Sequence, residues 1–369
     1  MRLYLPSKNP IIFQTGGKLV GNLLDFMSEA CRNILYYGAS VTVQRDGFRP
    51  LLHQLICKES GVNHNELING VGGVGSLFCF GNISNVLSDT TPVDLVVHEC
   101  FTGDTNAGIT SPELLPVYLD EFFKVFPFSK HICVLNFRAD CTFEELRQVA
   151  FAYEAFCLKK NIALIKVFEY FYQDGVPGLP ISEAFRDGVH PTPRGAEFIS
   201  NKIWSEAKLV DCPPLQGENP TPMAALSASR IKFYGFDYLI NNTSSPAVEG
   251  DFLYKNTGQV FRSLEFESDF QLSLPPGKVL GFLGLTGPKS PSFVHIDLGG
   301  AERKFRTFDR NCFYTRPQTF SWPTASAQKQ FSLRMSAEAP DFSICSREVP
   351  EFESARSFAI CGVYMLDES

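Results

Sequence analysis

The sequence predicts two domains in series: an α/β domain on a parallel sheet, then an antiparallel, jelly-roll-like β-sandwich. Three observations predict it. From residue 31 to about 208, short apolar runs alternate with amphipathic stretches, the pattern of strand–helix units. Residues 211–229 (DCPPLQGENPTPMAALSAS) then hold four prolines and little periodicity. Beyond them, apolar residues recur with period two in short runs separated by turn residues. The chain has 369 residues, more than one typical domain. The expected division is an extension over 1–30, the α/β domain over 31–210, a linker over 211–229 and the sandwich over 230–369.

In the first domain, NILYY (33–37), VDLVVHE (93–99), HICVLNF (131–137) and IALIKVF (162–168) have strand length and little alternation. Strands buried on both faces of a parallel sheet read this way. ELIN (66–69) is a further short strand. Helices are predicted over 47–59, 111–126, 142–160 and 193–207. The third opens on Thr142 with Glu145 three residues later, a capping box. Such alternation gives right-handed βαβ units with function at the carboxyl ends of the strands. In the second domain, RIKFYGFDYL, SLEFE, FQLSL, FVHIDL, QFSLRM and SFAICGVYM read as strands, with no convincing helix among them.

Composition narrows the function classes. Hydrophobic residues make up 44% and charged residues 20%, which suits a globular protein with real cores. The net charge of −7 argues against nucleic acid and anionic membrane surfaces as partners. No apolar run has the length of a membrane span. The first ten residues, MRLYLPSKNP, carry a proline and no extended apolar core, unlike a secretory signal. The eleven cysteines are scattered without a CxxC pair, so reduced thiols and a cytoplasmic address are expected.

Three segments carry chemistry. In YYGASVTVQRDGF, Ser40 follows an apolar strand and opens a helix, where an α/β fold exposes a nucleophile among free backbone N–H groups. A helix-capping serine is the structural alternative. In FRDGVHPTPRG, Asp187 precedes His190 by three residues in a loop before a helix. A histidine base needs such a carboxylate to fix its tautomer and stabilise its imidazolium form. In INGVGGVGS (68–76), four glycines follow a short strand and free backbone N–H groups for close approach to a ligand. The lysine and hydroxyl of a phosphate-binding P-loop are missing there.

Taken in order, G-x-S-V-T at Gly38–Thr42, the glycine loop, E-x-x-T-x-D at Glu99–Asp104 and D-x-x-H-P at Asp187–Pro191 resemble the four blocks of the SGNH (GDSL-like) hydrolases. The resemblance covers roughly residues 31–208. It implies a flavodoxin-like three-layer α/β/α fold with Ser40 as nucleophile, His190 as base and Asp187 as orienting carboxylate. It also implies no metal or other cofactor. The oxyanion glycine falls on Gly73, with Gly72 and Gly75 as neighbours, beside the Ser40 N–H. Two positions depart from the family pattern: Ala39 replaces an aspartate, and Gly103 stands where an oxyanion asparagine is usual. Asn106, three residues on, is the candidate substitute donor; otherwise a backbone N–H, at Gly103 or nearby, or a water serves.

Other residues have blander readings. His98 and Glu99 end a buried strand as satisfied polar groups or as supports for the site. Arg45, Asp46 and Arg49 begin a solvated helix or touch substrate. His53, His64, His131 and His295 show no metal-ligand spacing. Trp322 and the pair Phe313–Tyr314 suit a sandwich core better than a sugar platform. The expected function is serine-dependent hydrolysis of O-acyl, chiefly O-acetyl, esters of a carbohydrate. The alternatives are a polysaccharide O-acetyltransferase drawing on a donor such as acetyl-CoA, and a catalytically weakened glycan-binding module.

Overall fold

A computed structural model describes residues 21–88, 90–106, 110–172, 176–211, 221–327, 330–349 and 356–367. The predicted extension lies mostly outside them, as does the proline-rich stretch 212–220. Two compact units are formed. The first takes Met1–Gly70, Asp89–Thr105 and Phe126–Pro222, and the second takes Val71–Ser88, Asn106–Val125 and Met223–Ser369.

The first unit is built on a parallel sheet of β1 (Asn33–Gly38), β2 (Asn65–Gly70), β3 (Leu95–Glu99), β4 (Lys130–Leu135) and β5 (Ala163–Lys166), in the order β2-β1-β3-β4-β5. All five predicted strands are present. Ile34 to Gly38 and Leu95 to Glu99 are buried throughout, so these central strands are covered on both faces and carry no alternation. Helices α1 (Leu23–Ser28), α2 (Ser40–Val43) and α3 (Phe48–Ser60) surround β1 in sequence, and α3 packs on α1. The order reverses between β1 and β3. With right-handed crossovers, the β1–β2 helix and the β4–β5 helix therefore lie on opposite faces, which gives the three layers.

The remaining helices are numbered along the chain: α4 (Cys79–Asn82), α5 (Phe101–Asp104), α6 (Leu115–Val125), α7 (Phe143–Lys160), α8 (Val167–Tyr172), α9 (Ile181–Ala184), α10 (Pro193–Ala207), α11 (Pro222–Ala228) and α12 (Phe236–Asn242). The predicted capping box of α7 is complete, with Thr142 and Glu145 bonding each other's backbone N–H. Helix α10 packs against α3 and opens on Pro193 behind a Thr192 cap.

The second unit holds two antiparallel sheets. Strands β6 (Ile231–Tyr234), β7 (Val248–Tyr254), β8 (Gln259–Phe266), β10 (Lys278–Thr286), β13 (Arg316–Ala327) and β15 (Phe358–Leu366) form the larger, in the order β13-β10-β15-β8-β7 with β6 paired to β15. Strands β9 (Phe270–Ser273), β11 (Phe293–Asp297), β12 (Glu302–Arg306) and β14 (Gln330–Met335) form the smaller, in the order β12-β11-β14-β9. Their facing side chains make one core: Leu264, Phe266, Phe282, Phe358 and Ile360 from the larger sheet, with Leu272, Val294, Ile296, Phe331 and Leu333 from the smaller. Trp322 is 2% exposed in that core, 5.8 Å from the Phe305 ring, as the bland reading expected.

Two expectations for this region need correction. RIKFYGFDYL is a strand only as far as Tyr234, because Gly235 caps α12, so the unit does contain helix. Residues 222–228, read as linker, form α11. The helix predicted over 111–126 exists as α6 but belongs to the second unit. There the Glu121 carboxylate accepts bonds from Ser229 Oγ and from Arg230 N and Nε, at 2.9–3.0 Å. No helix among the described residues is long and apolar enough to cross a membrane. The nine cysteines whose side chains are described form no disulfide with one another.

Candidate active site

Ser40 sits just beyond the carboxyl end of β1, at the point where the strand order reverses, which is where open α/β sheets bind ligands. Gly38 makes the turn possible. A β carbon there would lie 2.1 Å from Thr42 Oγ1 and 2.4 Å from the Glu99 carbonyl oxygen. Ala39, in extended conformation, then starts the single turn α2, with Ser40 as its first residue. The Ser40 N–H therefore has no intrahelical acceptor. The serine is half-buried, and its hydroxyl makes no hydrogen bond among the described residues.

Two buried groups hold this turn from below. Thr42 Oγ1 donates to Glu99 Oε2 at 3.0 Å, and Arg49 Nε donates to the Thr42 carbonyl at 2.9 Å while its guanidinium also pairs with Glu66. Arg49 is thus an internal brace rather than a solvated helix start. Glu99 also accepts the Thr102 hydroxyl at 3.0 Å, so it links the Ser40 turn to the third block. Burial pushes its carboxyl up to about 8, against the lowering effect of the two threonines. His98, its neighbour, packs between Tyr37 and Tyr153, and burial pushes its imidazole down to about 3. It is a neutral core residue.

Asp187 and His190 pair as expected. His190 Nδ1 lies 2.9 Å from Asp187 Oδ2 and 3.1 Å from Oδ1. Asp187 Oδ1 also accepts the backbone N–H groups of Val189 and His190, at 2.8 and 2.7 Å. Part burial raises the Asp187 carboxyl, but these donors outweigh it and the net shift is downward. A carboxylate on Nδ1 fixes the tautomer that leaves Nε2 free as the basic nitrogen.

No hydrogen bond joins Ser40 to His190. What ties their segments is a cluster the motifs did not reveal. Gln44 Nε2 donates to the Pro191 carbonyl at 3.0 Å, and Arg186 bonds both that carbonyl, at 3.3 Å, and Asp46, at 2.9 Å. Arg138, beyond β4, reaches the Thr102 carbonyl at 3.0 Å and pairs with Asp140, while Ala139 N donates to the Gly188 carbonyl at 2.8 Å. The loops after β1, β3 and β4 and the His190 turn are thus interlocked. Asp46 serves that lock.

The expected oxyanion residues fare differently. Gly73 lies in the second unit at φ 83°, part-exposed, and its N–H makes no hydrogen bond among the described residues. Gly72 has given its N–H to the Tyr254 hydroxyl at 3.0 Å. Gly103 is buried in α5, outside the left-handed region, with its N–H donated to the Cys100 carbonyl at 2.9 Å. Asn106 is exposed, and its carbonyl accepts the Thr110 N–H at 3.1 Å. Among the other histidines, His53 contacts the Tyr36 hydroxyl, His64 Ser60, His131 the Phe126 carbonyl and His295 Glu302.

No protein-family profile and no curated protein matches the chain. Among solved structures, a two-domain esterase active on acetylated mannans, co-crystallised with mannopentaose, matches 94% of this chain and 94% of its own at 12% identity, with a TM-score of 0.63. A second structure of a two-domain esterase active on acetylated mannans matches over the same shares with a TM-score of 0.62. The chain has the fold of a two-domain esterase. The matched 94% of this chain takes in both the parallel sheet and the sandwich. A variant of an acetyl xylan esterase from Geobacillus stearothermophilus matches 50% of this chain and 98% of its own, at 12% identity and a TM-score of 0.43.

Proposed function

We propose that the chain is a serine-dependent esterase that removes O-acetyl groups from a carbohydrate. The observation that carries the reading is the Asp187–His190 pair, at 2.9 Å, on a turn locked to the Ser40 segment at the reversal point of the sheet. In the proposed reaction, His190 Nε2 takes the Ser40 proton as Oγ attacks the ester carbonyl. The proton then passes to the departing sugar oxygen. Water, deprotonated in turn by His190, releases acetate from the acyl-serine. Asp187 holds Nδ1–H and stabilises the imidazolium. The Ser40 N–H at the start of α2 is the oxyanion donor of this reading. Gly103 supplies no side chain for this purpose and its N–H is already used, so the reading leaves the hole to a backbone donor.

The substrate class is proposed from likeness of fold to an esterase active on acetylated mannans. The deciding assay is acetate release by the purified chain from 4-nitrophenyl acetate and from acetylated mannan and xylan oligosaccharides. Release abolished by Ser40→Ala supports the reading. Release unchanged in that variant, or absent in the parent, refutes it. The same assay with acetyl-CoA and an unacetylated acceptor would expose transfer in place of hydrolysis.

A further inference from the structure

The outer face of the larger sandwich sheet contains a hollow of about 390 Å³, within the range of small-ligand sites. The register explains why it is there. Gly250 of β7 pairs with Ser263 of β8, Glu265 with Ala359 of β15, and Ala359 with Leu285 of β10. Paired residues share a face. The alternate residues Leu264, Phe266, Phe358 and Ile360 are in the core between the sheets, so this set points away from it. Where the outer face carries Gly250, Ser263 and Ala359, the side chains are too small to fill it. The turn Gly287–Ser290 and Thr315 raise a wall beside it, and Phe252 contributes a ring.

The side chains that line it on this face are polar and of mixed charge: Glu265, Lys289 and several hydroxyls. Some of that capacity is used internally, since Ser357 bonds Glu265 and Ser290 accepts the Gly287 N–H. The Lys289 ammonium and the Thr315 hydroxyl make no hydrogen bond or ion pair among the described residues. The Glu265 carboxylate disfavours a phosphate or other anion, and the lysine disfavours a simple cation. A neutral polyol satisfies carboxylate acceptors, an ammonium donor and hydroxyls together, with one apolar face left for the Phe252 ring.

We infer that this hollow binds a neutral sugar unit of a glycan chain, as a holding subsite separate from the residues proposed for ester cleavage. None of Ser40, Asp187 and His190 lines it. The choice of a glycan rests in part on the carbohydrate reading above, so the test keeps the two apart.

Gly250 is the residue to change first. A β carbon there meets only Ser263 Oγ, at 3.6 Å, and its φ is not left-handed, so Gly250→Leu fills the hollow without backbone strain. Calorimetric binding to the full chain would use mannan- and xylan-derived oligosaccharides free of acetyl groups, with 4-nitrophenyl acetate turnover measured alongside. The parent is expected to bind at least one oligosaccharide. Gly250→Leu should weaken it about tenfold or more, and Thr315→Val and Lys289→Met about three- to tenfold each. Ester turnover should stay at the parent's value in all three. Should Gly250→Leu fail to fold, the two exposed-side-chain variants decide alone. A parent that binds neither oligosaccharide, or variants that bind as the parent does, overturns the subsite. A parent that binds sugar but cleaves no ester refutes the catalytic reading and leaves the subsite standing.

Discussion

The turn at residues 186–191 and the end of β3 each place a carboxyl group beside the Ser40 segment, and the two are held in opposite states. Asp187 has a side chain 45% exposed, and three N–H groups point at it, so its carboxyl sits below the usual range. Glu99 is fully buried with two threonine hydroxyls as its main donors, and its carboxyl rises to about 8. The difference teaches that water and the number of N–H donors, rather than residue type, set the charge. The ionised group can stabilise an imidazolium. The neutral one can only hold two loops at a fixed spacing.

The largest test of that division removes the proposed chemistry itself. Ser40→Ala and His190→Ala should each lower kcat by about 10⁶, the scale for a lost triad member. Asp187→Asn should cost less, about 10⁴, because it spoils the tautomer and leaves the base in place. Steady-state kinetics on an acetyl ester read all three. A His190→Ala variant less impaired than Asp187→Asn would break the proposed roles.

Much of this was legible in the sequence, for reasons that also mark the boundary. The five parallel strands were visible because burial on both faces leaves unbroken apolar runs. Ser40, Asp187 and His190 were visible because each lies in a short motif at an element's end. Arg138, Gln44 and Arg186 were not, since their partners Thr102, Pro191 and Asp46 lie 36, 147 and 140 residues away and only folding brings them near. In the sandwich, β10 (KVLGFLGLT) is buried along nearly its whole length and shows no alternation, while the edge strand β7 (VEGDFLY) carries Glu, Gly and Asp, poor strand formers. The helix α12 hid in an apparently alternating run because Gly235 changes the period after four strand residues.

A pH series sharpens the comparison at smaller cost in activity. A carboxyl raised from 4.5 to about 8 binds its proton more tightly folded than unfolded, so its contribution to stability is lost as pH rises from 4.5 through about 8. Asp187 has the opposite sign: its contribution is present above its ordinary value of 3.8 and is lost as pH falls below it. Thermal melting of Glu99→Gln should show a flatter decline between pH 5 and 8 than the parent, with kcat lowered about tenfold or less. Asp187→Asn should leave that alkaline decline as it is and weaken the acid one. Identical alkaline slopes in the parent and Glu99→Gln would mean that Glu99 is not the buried neutral group.

The smallest expected effect concerns the lock between the two regions. Gln44 and Arg186 share the Pro191 carbonyl and the Asp46 carboxylate as acceptors, and neither is assigned a role in bond making. Losing one such bond should cost about fivefold in kcat with KM unchanged, because the proposed nucleophile and base drift apart while the substrate contacts stay. Gln44→Ala and Arg186→Ala should then be sub-additive in the double variant, since either loss already frees the 186–191 turn. Additive losses would show that the two side chains act on separate elements. No loss in the double variant would show that the Ala139–Gly188 bond and the packing of Phe185 already fix the turn, and the lock would then carry no catalytic weight.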